Sequence, residues 1–195
     1  LKPYDVKPKF IEIQRLAPYS IRGTEVPVVL DLMIHDIDIL LSIVNSPVKK
    51  VQANGISIIT DSIDIAHARI KFKNNTVASI TSSRIAKEDI RKVKLFQRDL
   101  YCTIDLLLGL TEIYRIKDKV QSKSVIQAPF DYKGREKIIT YEKPILKEID
   151  PLKMELINFA NSIIGTEYPI VTGKNGRDAL EIAIKINQLI VEDTI

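Results

Sequence analysis

Near the start of the chain, the apolar residues recur first with the period of a β-strand and then with that of an α-helix. In "KFIEIQRLAPY" (9–19) apolar and polar residues alternate, which is the pattern of a β-strand with one buried face, and Pro18 is expected to end it. From Pro27 onward the apolar residues recur at alternating spacings of four and three, which predicts an amphipathic helix that ends at the cluster 45–47. The predicted apolar stripe consists of Leu30, Ile34, Ile37, Leu41 and Val44.

From Val48 to about Lys143 the alternation of apolar and polar residues returns, and it predicts a series of β-strands separated by turns. Asn74 and Asn75 lie between two alternating runs, and they predict a hairpin because asparagine tolerates the positive φ of tight turns. The segment 118–136, "DKVQSKSVIQAPFDYKGRE", has the weakest pattern in this part of the chain and is expected to hold a loop.

The last part of the chain returns to helical spacing. Asp150 is the candidate N-cap and Pro151 the first residue of a helix that is expected to end at Gly165. A second helix is predicted over 172–193, and its apolar stripe is expected to pass through Leu180, Ile184 and Leu189. This order of elements predicts an α+β domain, in which an open, mostly antiparallel mixed sheet has helices packed on one face.

The other face of such a sheet would lack a covering layer. Strand candidates such as "TVASITSSRI" (76–85) place small and semi-polar residues on one side. An open face of this kind usually contacts another surface. We therefore expect it to be buried in a homo-oligomer or against another domain, and both alternatives fit the sequence.

The composition is that of a globular chain and excludes several classes of protein. The 195 residues, of which 45% are hydrophobic, fit one domain with its own core. No apolar run approaches the roughly 20 residues of a membrane-spanning helix, and the N-terminus lacks the apolar block of a signal peptide, so a cytoplasmic location is expected. The net charge of +4 comes from basic residues interspersed with acidic ones, which does not favour nucleic-acid binding.

One segment of the first predicted helix carries candidate catalytic residues in an apolar setting. On the helix surface, Asp31, His35 and Asp38 share one stripe at the edge of the apolar face. A histidine with a carboxylate one turn away can be held in one tautomer and can exchange a proton near neutral pH, which general acid–base catalysis requires. The alternative is a purely structural histidine that is hydrogen-bonded to its neighbouring aspartate.

Metal and dinucleotide sites are not expected in this chain. Asp31 and His35 could share an ion, but a catalytic zinc site commonly has three protein ligands, and His67 in a predicted strand is the only other histidine. Cys102, the single cysteine, is expected to be a buried small hydrophobic residue. The seven glycines form no Gly-rich phosphate loop, so the chain is not expected to bind a dinucleotide by itself.

Two segments carry a family resemblance. "VVLDLMIHDIDIL" (28–40) resembles the signature of the glucose–fructose oxidoreductase, inositol dehydrogenase and MocA family, in which a helix carries Asp-x-x-x-His followed by a further Asp. "DPLKMELINFANSIIGTEYPIVTGKNGRDALEIAI" (150–184) resembles the closing segment of that family, with Gly-x-x-Gly-Arg-x-Ala-Leu at the start of its last helix. The resemblance therefore extends over nearly the whole chain.

The resemblance implies that residues 1–195 are one C-terminal substrate-binding and oligomerisation domain. In the family, such a domain follows an N-terminal Rossmann domain that binds NAD or NADP. That domain is absent from this chain, which begins with Leu1, so we expect a fragment that is inactive alone. By resemblance, His35 would be the acid–base group for the hydroxyl being oxidised, and Asp31 would orient the substrate or the imidazole.

The resemblance also bears on the substrate. The stretch 10–40 together with "ITSSRIA" (80–86) is similar to a branch of the family that oxidises the 3-hydroxyl of the sugar in UDP-N-acetylglucosamine. Arg15, Arg22 and Arg84 would then bind the sugar or the diphosphate, because arginine pairs well with phosphate oxygens. Surface salt bridging by these arginines is the alternative. The competing function is a non-catalytic binding or oligomerisation module with the same fold.

Overall fold

A computed structural model describes residues 6–118, 126–145 and 150–193. The strands are β1 (Phe10–Leu16), β2 (Val48–Ile56), β3 (Ile65–Phe72), β4 (Val77–Ser83), β5 (Ile90–Gln97), β6 (Leu100–Asp105), β7 (Leu110–Asp118), β8 (Ile126–Tyr132) and β9 (Arg135–Glu142). The helices are α1 (Ile34–Ile43), α2 (Pro151–Ile163) and α3 (Gly173–Asp193), and a π-helical turn (Val29–Met33) leads directly into α1.

The strands form one mixed sheet in the order β2-β3-β4-β1-β5-β6-β7-β9-β8. The strand β1 pairs parallel to β4 and antiparallel to β5, so that Phe10 lies opposite both Val77 and Phe96. The other neighbouring strands pair antiparallel. The predicted α+β architecture with a mostly antiparallel sheet is therefore confirmed.

The core lies between one face of the sheet and the layer formed by the π-helical turn, α1 and α3. Because successive strand residues point to opposite faces, Ile11 and Ile13 of β1 point into the core, whereas Phe10 and Glu12 lie on the other face. Gly55 of β2 lies where α3 crosses the sheet, since a Cβ built there would be 3.0 Å from Cγ2 of Ile190. The small residue permits this close packing of helix on strand.

The π-helical turn shifts the buried stripe of the first helix. Such a turn is closed by i→i+5 hydrogen bonds and holds about one residue more than an α-helical turn. The buried apolar residues are accordingly Val29, Met33, Ile37, Leu40 and Val44. Of the predicted stripe, Ile37 and Val44 are buried, whereas Leu30, Ile34 and Leu41 are only partly buried against the core.

The predicted apolar stripe of α3 is wrong by one position. Leu180 and Ile184 are 42% and 43% exposed, and the buried residues of α3 are Ala179, Ala183, Ile186 and Ile190. Large side chains dominate a pattern read from sequence, whereas the two alanines occupy the close contact in the folded chain. Leu189, the third residue of the predicted stripe, is partly buried against the core.

Helix α2 begins where the sequence predicts and yet buries none of its residues. The carboxylate of Asp150 accepts a hydrogen bond from the backbone N–H of Lys153 at 3.2 Å, which confirms the N-cap, and Pro151 opens the helix. The side chains of Leu156 and Phe159 are nevertheless exposed. One face of this helix is therefore apolar without covering any part of the sheet that the structure describes.

The predicted hairpin at Asn74 and Asn75 is confirmed, whereas the segment that was expected to hold a loop contains a strand that the sequence did not predict. Asn75 has φ of 66° between β3 and β4, as the hairpin prediction requires. In the segment 118–136, β8 occupies 126–132 and a turn with positive φ at Lys133 and Gly134 connects it to β9, while 119–125 lies outside the described residues. Within the described ranges, no helix is long and apolar enough to cross a membrane.

Candidate functional site

The π-helical turn and the first turn of α1 present Asp31 and His35 at the surface. The side chain of Asp31 is 38% exposed, and His35 is an exposed residue. No hydrogen bond or ion pair joins the imidazole of His35 to the carboxylates of Asp31 or Asp38 in the described structure. The alternative of a structural histidine would require a hydrogen bond from the imidazole to one of these aspartates, and the structure shows none. The imidazole is therefore open to an external partner.

The third member of the predicted stripe lies elsewhere. Asp38 is partly buried and lines a cleft of about 1060 Å³ between the C-terminal half of α1 and α3. Lys174 and Arg177 of α3 line the same cleft, and both contact the carboxylate of Asp178. The structure thus exposes Asp31 and His35 at the surface and places Asp38 beside α3.

The loop that precedes the π-helical turn packs against the carboxylate of Asp31. Gly23 has φ of 85°, a conformation that glycine adopts without steric cost, and a Cβ built there would be 3.1 Å from Oδ2 of Asp31. The N–H of Val26 donates to the carbonyl of Gly23 at 3.3 Å, which closes the turn. Gly23 therefore permits the main chain to approach the carboxylate closely.

Arg84 lies beneath this turn. Its side chain is 6% exposed, and its guanidinium donates from Nη1 to the carbonyl oxygen of Gly23 at 3.0 Å and from Nη2 to that of Val26. The same Nη2 lies 3.9 Å from Oδ2 of Asp31. Of the three arginines proposed from the sequence, Arg84 is thus the one that contacts Asp31, and it does so from the interior.

Arg15 is buried on the inner side of the first helix. Its Nε and Nη2 each donate to a carboxylate oxygen of Asp36 at 2.8 Å, a bidentate ion pair between residues that are 8% and 1% exposed. Sequence reasoning missed Asp36. The signal was present, because a charged residue between Met33 and Leu40 on a buried stripe requires a partner in the core.

Asp64 anchors the loop between β2 and β3. Its carboxylate accepts hydrogen bonds from the N–H groups of Ile58, Ile59 and Thr60 and from the Thr60 hydroxyl, at 2.6–3.0 Å. Burial raises its pKa, but these hydrogen bonds outweigh that effect and lower the pKa to about 2. The hydroxyl of Ser62 in this loop donates to the carbonyl of Thr24 at 2.9 Å, so Asp64 supports the loop beside Asp31. Sequence reasoning missed this residue also.

The remaining predicted groups lie apart from this cluster. Arg22 is exposed on the loop before the helix. His67 lies on β3, where Nδ1 is 3.0 Å from the Thr81 hydroxyl. Cys102 is buried, as expected, and burial raises the pKa of its thiol. Among the residues that the structure describes, no three His, Cys, Asp or Glu side chains are grouped so that they could hold a metal ion.

Comparison with known proteins places this site in a family. Residues 19–97 match the GFO/IDH/MocA C-terminal domain, and this segment includes Arg22, Asp31, His35, Asp64 and Arg84. The chain is 30% identical over 179 residues to the UDP-N-acetylglucosamine 3-dehydrogenase of Acidithiobacillus ferrooxidans. That match covers 92% of this chain and 53% of the relative, so the chain spans about half the length of the curated relative it matches.

Solved structures agree with this relationship. A structure of UDP-N-acetylglucosamine 3-dehydrogenase GnnA from the same organism superposes with a TM-score of 0.82 at 28% identity, over 97% of this chain and 56% of the other. An NAD-binding protein from Listeria innocua superposes with a TM-score of 0.73 at 16% identity, over 98% and 56% of the two chains, which shows the shared fold. Family match, relative and fold agree, and residues 19–97 of the chain belong to the GFO/IDH/MocA C-terminal domain family.

Proposed function

We propose that this chain is the substrate-binding half of an NAD(P)-dependent dehydrogenase that oxidises a hydroxyl of a sugar, nucleotide sugar or polyol. His35 is the acid–base group and Asp31 orients the substrate or the imidazole. The observation that carries the proposal is the exposure of both side chains on a helix that is anchored from behind by the Arg15–Asp36 pair. Catalysis requires a reactive group that is accessible and also rigidly held.

In the proposed reaction, this chain handles the proton and a bound nicotinamide would handle the hydride. When bound, NAD or NADP would supply the acceptor for the hydride on the carbon that carries the hydroxyl. The exposed imidazole of His35 takes the hydroxyl proton as the carbonyl forms and releases it to solvent. In the reverse reaction the imidazolium donates a proton to the carbonyl oxygen. The half-exposed carboxylate of Asp31 accepts a hydrogen bond from a substrate hydroxyl or from the imidazole, which fixes their relative orientation.

A separate Rossmann domain would bind the dinucleotide. The chain has only seven glycines and none is spaced as a phosphate-binding loop. Helix α2 and the segment after it offer an uncovered apolar surface, with Leu156, Phe159 and Ile163 on the helix and Tyr168 and Ile170 beyond it. Asn158 holds that segment to α2 by accepting from the Ile170 N–H at 2.9 Å. We propose that this ordered surface packs against the nucleotide-binding half.

We propose a nucleotide sugar as the substrate, because the curated relative is a UDP-N-acetylglucosamine 3-dehydrogenase. Arg22 is exposed on the loop before the catalytic helix and is the arginine best placed to contact a diphosphate. Arg15 and Arg84 are both buried, with their donors on Asp36 and on backbone carbonyls respectively. Their contribution to the site is structural support for Asp31 and His35.

The open face of the sheet is the proposed surface of a homo-oligomer. Five aromatic side chains from β1, β5, β6, β7 and β9 form a continuous row across it, with ring centroids 5.0–5.8 Å apart: Phe10, Phe96, Tyr101, Tyr114 and Tyr141. A polar row runs beside them, in which Lys94 contacts Glu12 at 3.2 Å and the Tyr141 hydroxyl donates to Glu112 at 2.8 Å. Aromatic residues within a polar surround are typical of protein interfaces.

The test of the catalytic proposal uses the full-length protein that contains this chain. It is incubated with NAD or NADP and a panel of UDP-sugars and free polyols, and the absorbance of the reduced nicotinamide is followed. We expect turnover of a nucleotide sugar that falls by about 10²–10⁴-fold in His35→Ala, which is the usual contribution of general acid–base catalysis. His67→Ala is the matched control and should retain wild-type turnover, because His67 lies on the open face.

The outcomes separate the two candidate functions. A loss confined to His35→Ala supports the dehydrogenase and identifies its substrate. Equal turnover in wild type and His35→Ala removes His35 from its proposed role. Absence of turnover with every substrate, together with an intact oligomer, favours the non-catalytic binding or oligomerisation module.

A further inference from the structure

We infer that Arg84 is a positioning residue, which fixes the carboxylate of Asp31 and the turn from Gly23 to Val26 for the reaction. This inference rests on the proposed function, because it concerns the geometry of the same site. It differs from the sequence-based prediction that Arg84 binds substrate. The two roles make opposite predictions for KM and kcat.

The geometry of the guanidinium supports the positioning role. Two of its nitrogens donate to the carbonyl oxygens of Gly23 and Val26, so Arg84 closes the concave side of the turn. Hydrogen bonds from a charged donor are stronger than those between neutral groups. With its side chain 6% exposed, Arg84 has almost no surface left to offer a substrate.

The carboxylate of Asp31 is confined between Arg84 and the turn. Its Oδ2 lies 3.9 Å from Nη2 of Arg84, and it would be 3.1 Å from a Cβ at position 23. The side chain of Asp31 is nevertheless 38% exposed. Arg84 therefore limits where Asp31 can move, while the carboxylate stays accessible to a substrate.

The backbone of Arg84 connects this cluster to a second anchor. Its N–H donates to the carbonyl of Asp64 at 3.1 Å, and Asp64 holds the loop whose Ser62 hydroxyl donates to Thr24. The Nε of Arg84 is buried without a hydrogen-bond partner among the described residues. A buried donor without a partner costs free energy. The Nε of Arg84 stays unpaired because Nη1 and Nη2 fix the position of the guanidinium through their own hydrogen bonds.

The first experiment measures steady-state kinetics of the full-length protein with Arg84→Met, Arg84→Lys and the exposed control Arg98→Met. A displaced catalytic carboxylate lowers kcat, and we expect a loss of about 100-fold in Arg84→Met with KM within about threefold of wild type. Arg84→Lys keeps the charge and can reach one carbonyl, so it should recover kcat to within about tenfold. Arg98, whose side chain is 96% exposed, should tolerate the same change without effect.

The second experiment measures amide hydrogen exchange of the same proteins without substrate. Peptides covering 20–31 should exchange about tenfold faster in Arg84→Met, because the turn loses two hydrogen bonds, whereas peptides of α3 should exchange as in wild type. Gly23→Ala serves as a second variant that keeps the Arg84 side chain, since its Cβ would lie 3.1 Å from Oδ2 of Asp31 and its φ of 85° strains alanine, so that the turn and Asp31 are displaced together. It should lower kcat in the same way.

These measurements distinguish failure of the inference from failure of the proposed function. A rise in KM at unchanged kcat would show that Arg84 binds substrate and would overturn the positioning role. Unchanged exchange over 20–31 would overturn it as well, even if the full-length protein turned over none of the substrates. Lack of turnover by wild type together with faster exchange in Arg84→Met would contradict only the dehydrogenase.

Discussion

The buried ion pair between Arg15 and Asp36 gives the sharpest stability prediction. Both donor–acceptor distances are 2.8 Å, and the two residues are 8% and 1% exposed, so each charge depends on the other for its hydrogen bonds. Removing one partner leaves the other charge buried and unpaired, which costs about 3–5 kcal/mol. We therefore expect Arg15→Met and Asp36→Leu each to lower the free energy of unfolding by that amount.

The double variant should be much less destabilised than the sum of the single variants. Methionine and leucine carry no charge, and exchanging a buried ion pair for apolar side chains is often nearly neutral. The free energies of unfolding of the four proteins form a double-mutant cycle, and single losses of about 3–5 kcal/mol each with a nearly neutral double variant give a coupling of about 6–10 kcal/mol. A coupling of this size would show that the single losses come from the unpaired charge.

Urea-induced unfolding followed by circular dichroism measures these free energies. The matched control is Lys92→Met, because Lys92 and Asp105 form an ion pair at 3.6 Å in which the lysine side chain is 46% exposed. Exposed pairs contribute about 0–1 kcal/mol, so the control should remain close to wild type. Losses below about 1 kcal/mol in both single variants, or simple additivity in the double variant, would refute the reasoning.

Three further predictions concern other parts of the fold. The pKa of Asp64 is lowered from 3.8 to about 2, so its ionised form contributes about 2 kcal/mol of stability above pH 4, which is lost as the pH falls towards 2. The stability difference between wild type and Asp64→Asn, measured by urea unfolding, should therefore shrink over that interval, and a constant difference would contradict it. Gly55→Ala places a Cβ 2.8 Å from the Ile65 carbonyl and should lower the thermal midpoint at a cost of about 1–3 kcal/mol, whereas Gly176→Ala, where nothing lies within 4 Å, should not. Replacing both Tyr101 and Tyr114 by arginine should reduce the proposed homo-oligomer to a smaller species in sedimentation velocity, and an unchanged sedimentation coefficient would contradict an interface on this face.

The features that the sequence predicted correctly depend on local rules. The alternation in β1, the positive φ tolerated by Asn75 and the capping carboxylate of Asp150 each involve residues that are close in the chain. Such local preferences do not depend on the tertiary structure, so they can be predicted from the sequence alone. The order of strands and helices then limits the architecture to an α+β sheet with an open face.

The features that were missed depend on contacts in the folded chain that the pattern of apolar and polar residues does not show. The burial of Asp36 is explained by its ion pair with Arg15, which is 21 positions earlier in the chain. The burial of Asp64 is explained by the hydrogen bonds that it accepts from the loop before it. The shift of the stripe in α3 has the same origin, because Ala179 and Ala183 are buried where the helix packs in the folded domain. A pattern of large apolar residues cannot reveal which small residue will lie at a close contact.

The segment from the π-helical turn into α1 both anchors the helix and exposes the two proposed catalytic groups. Asp36 lies between Met33 and Leu40 on the buried stripe and binds Arg15, while His35 next to it faces outward. Turns of the π-helical kind occur frequently at functional sites in helices. Here one helical segment buries Met33 and Leu40 on one side and exposes Asp31 and His35 on another, so that stability and accessibility arise from adjacent residues and not from separate elements.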